Sequence, residues 1–100
     1  MKQYVFSTSD KRKIFTIEFQ QNSHCFGFLS VDMNRNTDVY SIGKVSGIKT
    51  ISKGSGLPTP IMDIASNNVK IKIELDAWSN AFLIVADTVT LTDSVEQGVD

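Results

Sequence analysis

Residues 69–75 carry the pattern that most constrains the fold of this chain. Every odd position in the segment is apolar, and every even position is charged. Successive side chains of a β-strand point to opposite faces, so this alternation places all the apolar groups on one side of a sheet. A helix would spread the same groups around its circumference and bury the charges with them. The segment is therefore predicted to be a strand with one buried face.

Other segments are rich in β-branched, aromatic or alternating apolar residues and are separated by short polar runs typical of turns. They lie at residues 4–8, 14–20, 24–33, 39–45, 48–52 and 81–86. We expect residues 4–8 and 14–20 to form one hairpin. Residues 69–75 and 81–86 are expected to form another. Residues 87–92 either continue the last strand or begin a further one. The chain is predicted to be mainly β: a single-domain antiparallel barrel or sandwich of six to seven short strands.

Residues 53–60 interrupt this pattern, because they hold both prolines of the chain and a pair of glycines. The segment is expected to be a loop. At its end, Thr59 and Pro60 are the residue types favoured at a helix N-cap and at the first helical position. We therefore expect at most one short helix, near residues 60–66.

The domain organisation follows from length and from the end of the pattern. A chain of 100 residues can bury one hydrophobic core and is too short for two. Residues 93–100 have no periodicity and include three acidic side chains. We predict a single β domain over residues 1–92 and a flexible acidic C-terminal tail over residues 93–100.

The sequence favours a cytoplasmic protein that does not enter a membrane. No apolar run in the first twenty residues has the length of a signal peptide. The longest apolar run, residues 81–86, is far shorter than the roughly 20 residues that span a bilayer. Cys25 is the only cysteine, so an intrachain disulfide is excluded, as is usual in a reducing compartment.

Charge balance bears on the kind of partner. Lysine and arginine number 10 against 11 aspartates and glutamates, for a net charge of −1. A protein whose main task is to bind nucleic-acid phosphates needs an excess of positive charge. Nucleic acid is therefore disfavoured, and another protein is the favoured partner.

The residue types that carry catalysis are scarce. His24 and Cys25 are adjacent, so in a strand they point to opposite faces and cannot act as a nucleophile and base pair. A zinc site needs three or four convergent His or Cys ligands, and the chain has two such residues. The glycine-bearing residues 43–47 and 53–56 do not match a phosphate-binding motif. We predict no catalytic residue, no cofactor and no metal site, and hence a protein that is not an enzyme. The aspartates, Asp38 among them, are interpreted as solvated surface groups.

Five residues are predicted to bind a partner. Lys11, Arg12 and Lys13 form the only basic run and suit an acidic partner. Trp78, with Asp76, lies in a polar turn that is expected at the opposite end of the molecule. A tryptophan in such a turn either folds back over the core or stays exposed as an interface anchor.

The favoured hypothesis is a small non-enzymatic protein that binds and inhibits or neutralises a macromolecular partner. Phage-encoded inhibitors of host defence and the immunity proteins of toxins have this size and character, which is an analogy and not a motif match. One alternative is a single-stranded nucleic-acid-binding β-barrel, whose stacking platform would be Tyr4, Phe6, Phe15 and Phe19. Another alternative is a structural subunit of a phage or secretion assembly, in which the β-edges of neighbouring copies pair. A homo-oligomer is therefore one of the possible states of the chain.

Overall fold

The chain folds into a sandwich of two antiparallel β-sheets. The computed structural model describes residues 1–8, 10–20, 24–65 and 68–95. Its strands are β1 (Lys2–Thr8), β2 (Lys13–Phe19), β3 (Phe26–Met33), β4 (Asn36–Gly43), β5 (Gly47–Ser52), β6 (Ile61–Ala65), β7 (Asn68–Leu75), β8 (Ser79–Val85) and β9 (Val89–Val95). The five-stranded sheet has the order β1-β8-β3-β4-β5, and the four-stranded sheet has the order β6-β7-β2-β9. The predicted mainly β, antiparallel architecture is confirmed, and it is a sandwich.

The alternation in residues 69–75 works as predicted. Val69, Ile71, Ile73 and Leu75 are all buried, whereas the lysines between them are exposed. Strand β7 pairs with β2, and Ile17 lies opposite Ile71 with neither side chain accessible to solvent. The inward faces of both sheets share one hydrophobic core. Phe6 of β1 and Phe15 of β2 join the sheets through an edge-to-face ring contact at 5.1 Å between centroids.

Two strands go beyond the predicted six to seven, since nine are present in the described part of the chain. One is β9, so residues 87–92 begin a further strand and do not continue β8. The other is β6, in the segment where the sequence allowed at most one short helix. Ile61–Ala65 instead pairs with the outer edge of β7, and Asp63 lies opposite Lys70. Pro60 then directly precedes an edge strand, a position where a missing amide proton costs little. The short helix that the sequence allowed near residues 60–66 does not form at residues 61–65, and residues 66 and 67 lie outside the described residues.

Both predicted hairpins are wrong, because their strands belong to different sheets. Strand β1 pairs with β8, and β2 pairs with β7 and β9. Likewise β7 lies in the four-stranded sheet and β8 in the five-stranded one. Alternation shows which side chains of a strand point inward. Strands of both sheets have the same alternation, however, so the pattern does not show which strands are neighbours. The short loops between these strands therefore cross from one sheet to the other.

The predicted C-terminal tail lies largely outside the described residues. Strand β9 ends at Val95, and the rest of the predicted tail, residues 96–100, lies outside the described residues. No helical segment able to cross a bilayer occurs in the described ranges.

Candidate functional site

The five predicted binding residues lie together at one end of the sandwich. Thr8 is paired with Ser79 across β1 and β8, and Lys13 is paired with Leu75 across β2 and β7. The β1–β2 loop and the β7–β8 loop therefore leave the two sheets at the same end and run side by side. We call this region the Trp78 end. It comprises residues 10–13 and 76–80, with Ser7 and Thr8. The expectation that the basic run and the Trp78 turn lie at opposite ends is wrong.

Trp78 is the most exposed large residue of this region. Its side chain is 72% exposed, and the backbone φ of 68° is in the left-handed region, which bulky residues rarely adopt. The Trp78 amide donates a hydrogen bond to the Thr8 carbonyl at 2.9 Å, and the Ser79 amide donates to the Asp76 carbonyl at 3.2 Å. These bonds hold the turn with the indole outward. With most of its surface exposed to solvent, the Trp78 side chain does not fold back over the core.

A shallow polar cleft lies beside the indole. Its volume is about 310 Å³, and it is lined by Ser7, Thr8, Trp78 and Asn80. Ser7 and Asn80 are cross-strand partners whose exposed side chains present a hydroxyl and an amide next to the ring. The Trp78 end therefore combines one large apolar surface with neighbouring hydrogen-bonding groups.

The basic run is partly compensated by acids from the adjacent strand end. Arg12 Nε lies 3.2 Å from Glu74 Oε1, and Arg12 Nη2 lies 3.9 Å from Asp76 Oδ2. Asp76 Oδ1 also accepts a hydrogen bond from the Ala77 amide at 2.9 Å. The side chains are about half exposed, so these pairs contribute little to stability. They place both signs of charge side by side, next to the run of basic residues that was predicted to suit an acidic partner.

Cys25 is a poor candidate for a nucleophile. It is buried, and burial raises the pKa of its thiol to about 11, with Lys44 opposing the shift and Asp87 adding to it. The thiolate, which is the reactive form, is therefore scarce at neutral pH. The neighbouring His24 is exposed, and its backbone amide donates a hydrogen bond to Asp87 Oδ2. In the described ranges, no three His, Cys, Asp or Glu side chains are grouped as metal ligands.

Asp38 is the residue that the sequence interpretation got wrong. It was assigned to the solvated surface, yet its side chain is fully buried. Asp38 Oδ1 accepts hydrogen bonds from the amides of Gly54 and Ser55 at 2.7 and 2.8 Å. Asp38 Oδ2 accepts from Ser55 Oγ, from Lys53 Nζ at 2.9 Å and from the Tyr40 hydroxyl at 3.1 Å. Burial alone would raise the pKa of Asp38, but these hydrogen bonds, led by that of Ser55 Oγ, outweigh it and hold the pKa well below its usual value.

This carboxylate organises the segment that follows β5. We call residues 53–57 the Asp38 loop. Lys53 Nζ also donates to the Leu57 carbonyl at 2.6 Å, and the Leu57 side chain is buried in the core. The two loop amides that could hold an external anion are already occupied by the protein's own carboxylate. Tyr40 beneath is buried as well, and burial together with the Asp38 hydrogen bond raises its pKa to about 12.

The stacking platform of the nucleic-acid alternative does not exist as predicted. Phe6, Phe15 and Phe19 are buried in the core between the sheets. Tyr4 is half-buried, and its hydroxyl accepts a hydrogen bond from the Val89 amide at 3.2 Å. The three phenylalanine rings are therefore part of the core and do not form an exposed surface on which bases could stack.

Comparison with known proteins assigns neither a family nor a function to this chain. The chain matches no protein-family model, no curated protein and no solved structure.

Proposed function

We propose that this chain is a non-enzymatic protein that binds and inhibits a protein partner through its Trp78 end. The observation that carries the proposal is the outward indole of Trp78 on a turn fixed by two backbone hydrogen bonds. Tryptophan contributes more to protein interfaces than almost any other residue. An anchor that is already held in place loses less conformational entropy on binding than a mobile one.

The surroundings of Trp78 support a protein as the partner. Protein interfaces combine a buried aromatic centre with a polar rim. Around Trp78, the rim would consist of the polar cleft with Ser7 and Asn80 and of the paired charges of Arg12 and Asp76. Since both signs of charge are present, the rim suits a partner of mixed polarity better than a purely acidic one.

The perturbed groups elsewhere support a binding role over catalysis. Strongly shifted pKa values often mark catalytic residues. Here the shift of Cys25 follows from burial, and that of Asp38 follows from hydrogen bonds that stabilise the Asp38 loop. Neither group needs a catalytic role to explain its pKa.

The proposal is tested by capturing partners from cells of the source organism with wild-type protein and two variants. Trp78→Ala removes the anchor, and Val45→Ala shortens a fully exposed apolar residue in the β4–β5 turn as the matched control. We expect wild type and Val45→Ala to retain the same protein, and Trp78→Ala to lose about 2 kcal/mol or more of binding free energy, roughly a thirtyfold increase in Kd. The activity of the captured protein should fall when wild type is added.

Equal capture by all three forms would contradict the proposal. Thermal unfolding of each variant provides the necessary control. Because Trp78 is outside the core, Trp78→Ala should leave Tm nearly unchanged; a large decrease in Tm would assign the indole to core packing instead.

A further inference from the structure

The solvent-facing side of the five-stranded sheet is unusually apolar. We call its exposed cluster the aromatic face. It consists of Val5, Phe26, Phe28, Phe82 and Ile84, of which Val5, Phe26, Phe28 and Ile84 are each at least 40% exposed. A contiguous cluster of this kind on a folded protein generally marks an interaction surface.

Strand register makes the cluster continuous across three strands. Val5 of β1 is paired with Phe82 of β8, and Ile84 of β8 is paired with Phe28 of β3. The rings of Phe26 and Phe28 contact each other edge to face, with 6.0 Å between centroids. The side chains therefore form one patch and not isolated exposed residues.

The charges on this face select among partners. At the described outward positions of the five-stranded sheet, the charged residues are Asp32 and Lys49, one of each sign. A nucleic acid would require an excess of positive charge. A strongly charged protein would leave its own charges unpaired against this surface. An identical face meets neither difficulty, because it carries one charge of each sign and its net charge is zero.

We propose that two copies of this chain pack face to face through the outward sides of their five-stranded sheets, which carry the aromatic faces. Identical sheets have the same twist, which lets them stack with their strands about 30° apart. Five strands about 4.8 Å apart and about seven residues long at about 3.3 Å per residue give a face of roughly 550 Å². Two such faces bury roughly 1,100 Å², near the lower limit for a specific interface. The dimer should therefore dissociate in the micromolar range.

Analytical ultracentrifugation from about 1 μM to about 300 μM tests this inference, because the range brackets a micromolar dissociation constant. The variant is Ile84→Lys on the aromatic face. Its matched control is Ile61→Lys, an exposed isoleucine facing outward from the four-stranded sheet. We expect wild type and Ile61→Lys to approach twice the monomer mass at high concentration. Ile84→Lys should dimerise more weakly than both, with its dimer Kd raised by more than about tenfold, because the lysine would be buried without a partner.

Phe28→Lys provides a second variant on the same face, and it should behave like Ile84→Lys. For wild type, Tm should increase with protein concentration, which tests the dimer even if a variant fails to fold. Wild type that stays monomeric up to the highest concentration, or a dimer unaffected by both variants, would overturn the inference. Binding of a single-stranded oligonucleotide by monomeric wild type, weakened in Phe28→Ala, which removes the ring without adding a charge, would assign the face to nucleic acid and overturn the inference as well.

Discussion

The Asp38 loop and the Trp78 end both contain a residue with left-handed backbone geometry. In the first this residue is a glycine, and in the second it is a bulky tryptophan. In the Asp38 loop, Gly56 has φ of 76°; at the Trp78 end, Trp78 has φ of 68°. Glycine adopts this conformation without strain, whereas other residues pay about 1–2 kcal/mol. The first loop is built for stability, and the second accepts a cost in stability while keeping an indole exposed.

The two regions also differ in how well their buried polar groups are hydrogen-bonded. At the Asp38 loop, every described hydrogen bond to the buried carboxylate comes from a well-placed donor. Next to Trp78, the hydroxyl of Ser79 is fully buried and has no hydrogen-bond partner in the described part of the chain. An unsatisfied buried group costs about 1–3 kcal/mol. Both costs fall at the Trp78 end. Local strain that a fold retains is often found at functional sites, so this comparison favours a functional role for the Trp78 end.

The largest expected effect is at Asp38. Asp38→Ala leaves the Gly54 and Ser55 amides without their acceptor and the Lys53 ammonium without its counter-ion, so the free energy of unfolding should fall by about 3–5 kcal/mol. Urea denaturation measures the loss. Asp63→Ala, at an exposed position of β6, is the control and should change stability by less than about 0.5 kcal/mol. A change below about 1 kcal/mol in Asp38→Ala would break the comparison, because it would mean that the Asp38 loop is not held by its carboxylate.

A smaller effect should appear in acid. The pKa of Asp38 is lowered by folding, so its contribution to stability is fully present above the ordinary value of 3.8 and is lost progressively as pH falls below it. We expect wild type to lose about 2 kcal/mol more than Asp38→Asn between about pH 5 and about pH 2. Urea midpoints at several pH values give the two curves. Parallel curves would show that the Asp38 carboxylate is not stabilised by folding.

The smallest effects compare the two left-handed positions directly. Gly56→Ala should lower the free energy of unfolding by about 1 kcal/mol, since no atom lies within 4 Å of the added Cβ and only backbone strain changes. At position 78, Trp78→Gly should be more stable than Trp78→Ala by about the same amount. Thermal unfolding of the three variants measures both differences. If glycine gives no advantage over alanine at position 78, the Trp78 end does not store the strain that distinguishes it.

The predictable part of the fold came from local patterns. Alternation identified the inward residues of β2 and β7, including Ile17 and Ile71. A turn was predicted over the polar residues 34–38; the structure has it at Asn34 and Arg35, both with positive φ, and β4 already begins at Asn36. These features depend on neighbours in the chain, which is why they are visible in one sequence.

The candidate site was predicted residue by residue but not as an assembly. Arg12 and Trp78 were each singled out by residue type, but nothing local indicates that β2 pairs with β7 while β1 pairs with β8, the arrangement that brings their loops together. The aromatic face was missed for a related reason. Phe26 and Phe28 lie in one predicted strand and Ile84 in another, and nothing in either segment indicates that these side chains meet on an uncovered face of the same sheet.

The sequence by itself determined that this chain is an antiparallel β protein and which side chains of its clearest strands face the core, because the pleat of a strand is a local property with a period of two. Tertiary structure alone decided which strands are neighbours and that Asp38 is buried, since that carboxylate meets donors 15 to 17 residues away along the chain. Such contacts form only when the closing of distant segments releases more free energy through packing and hydrogen bonding than it costs in chain entropy.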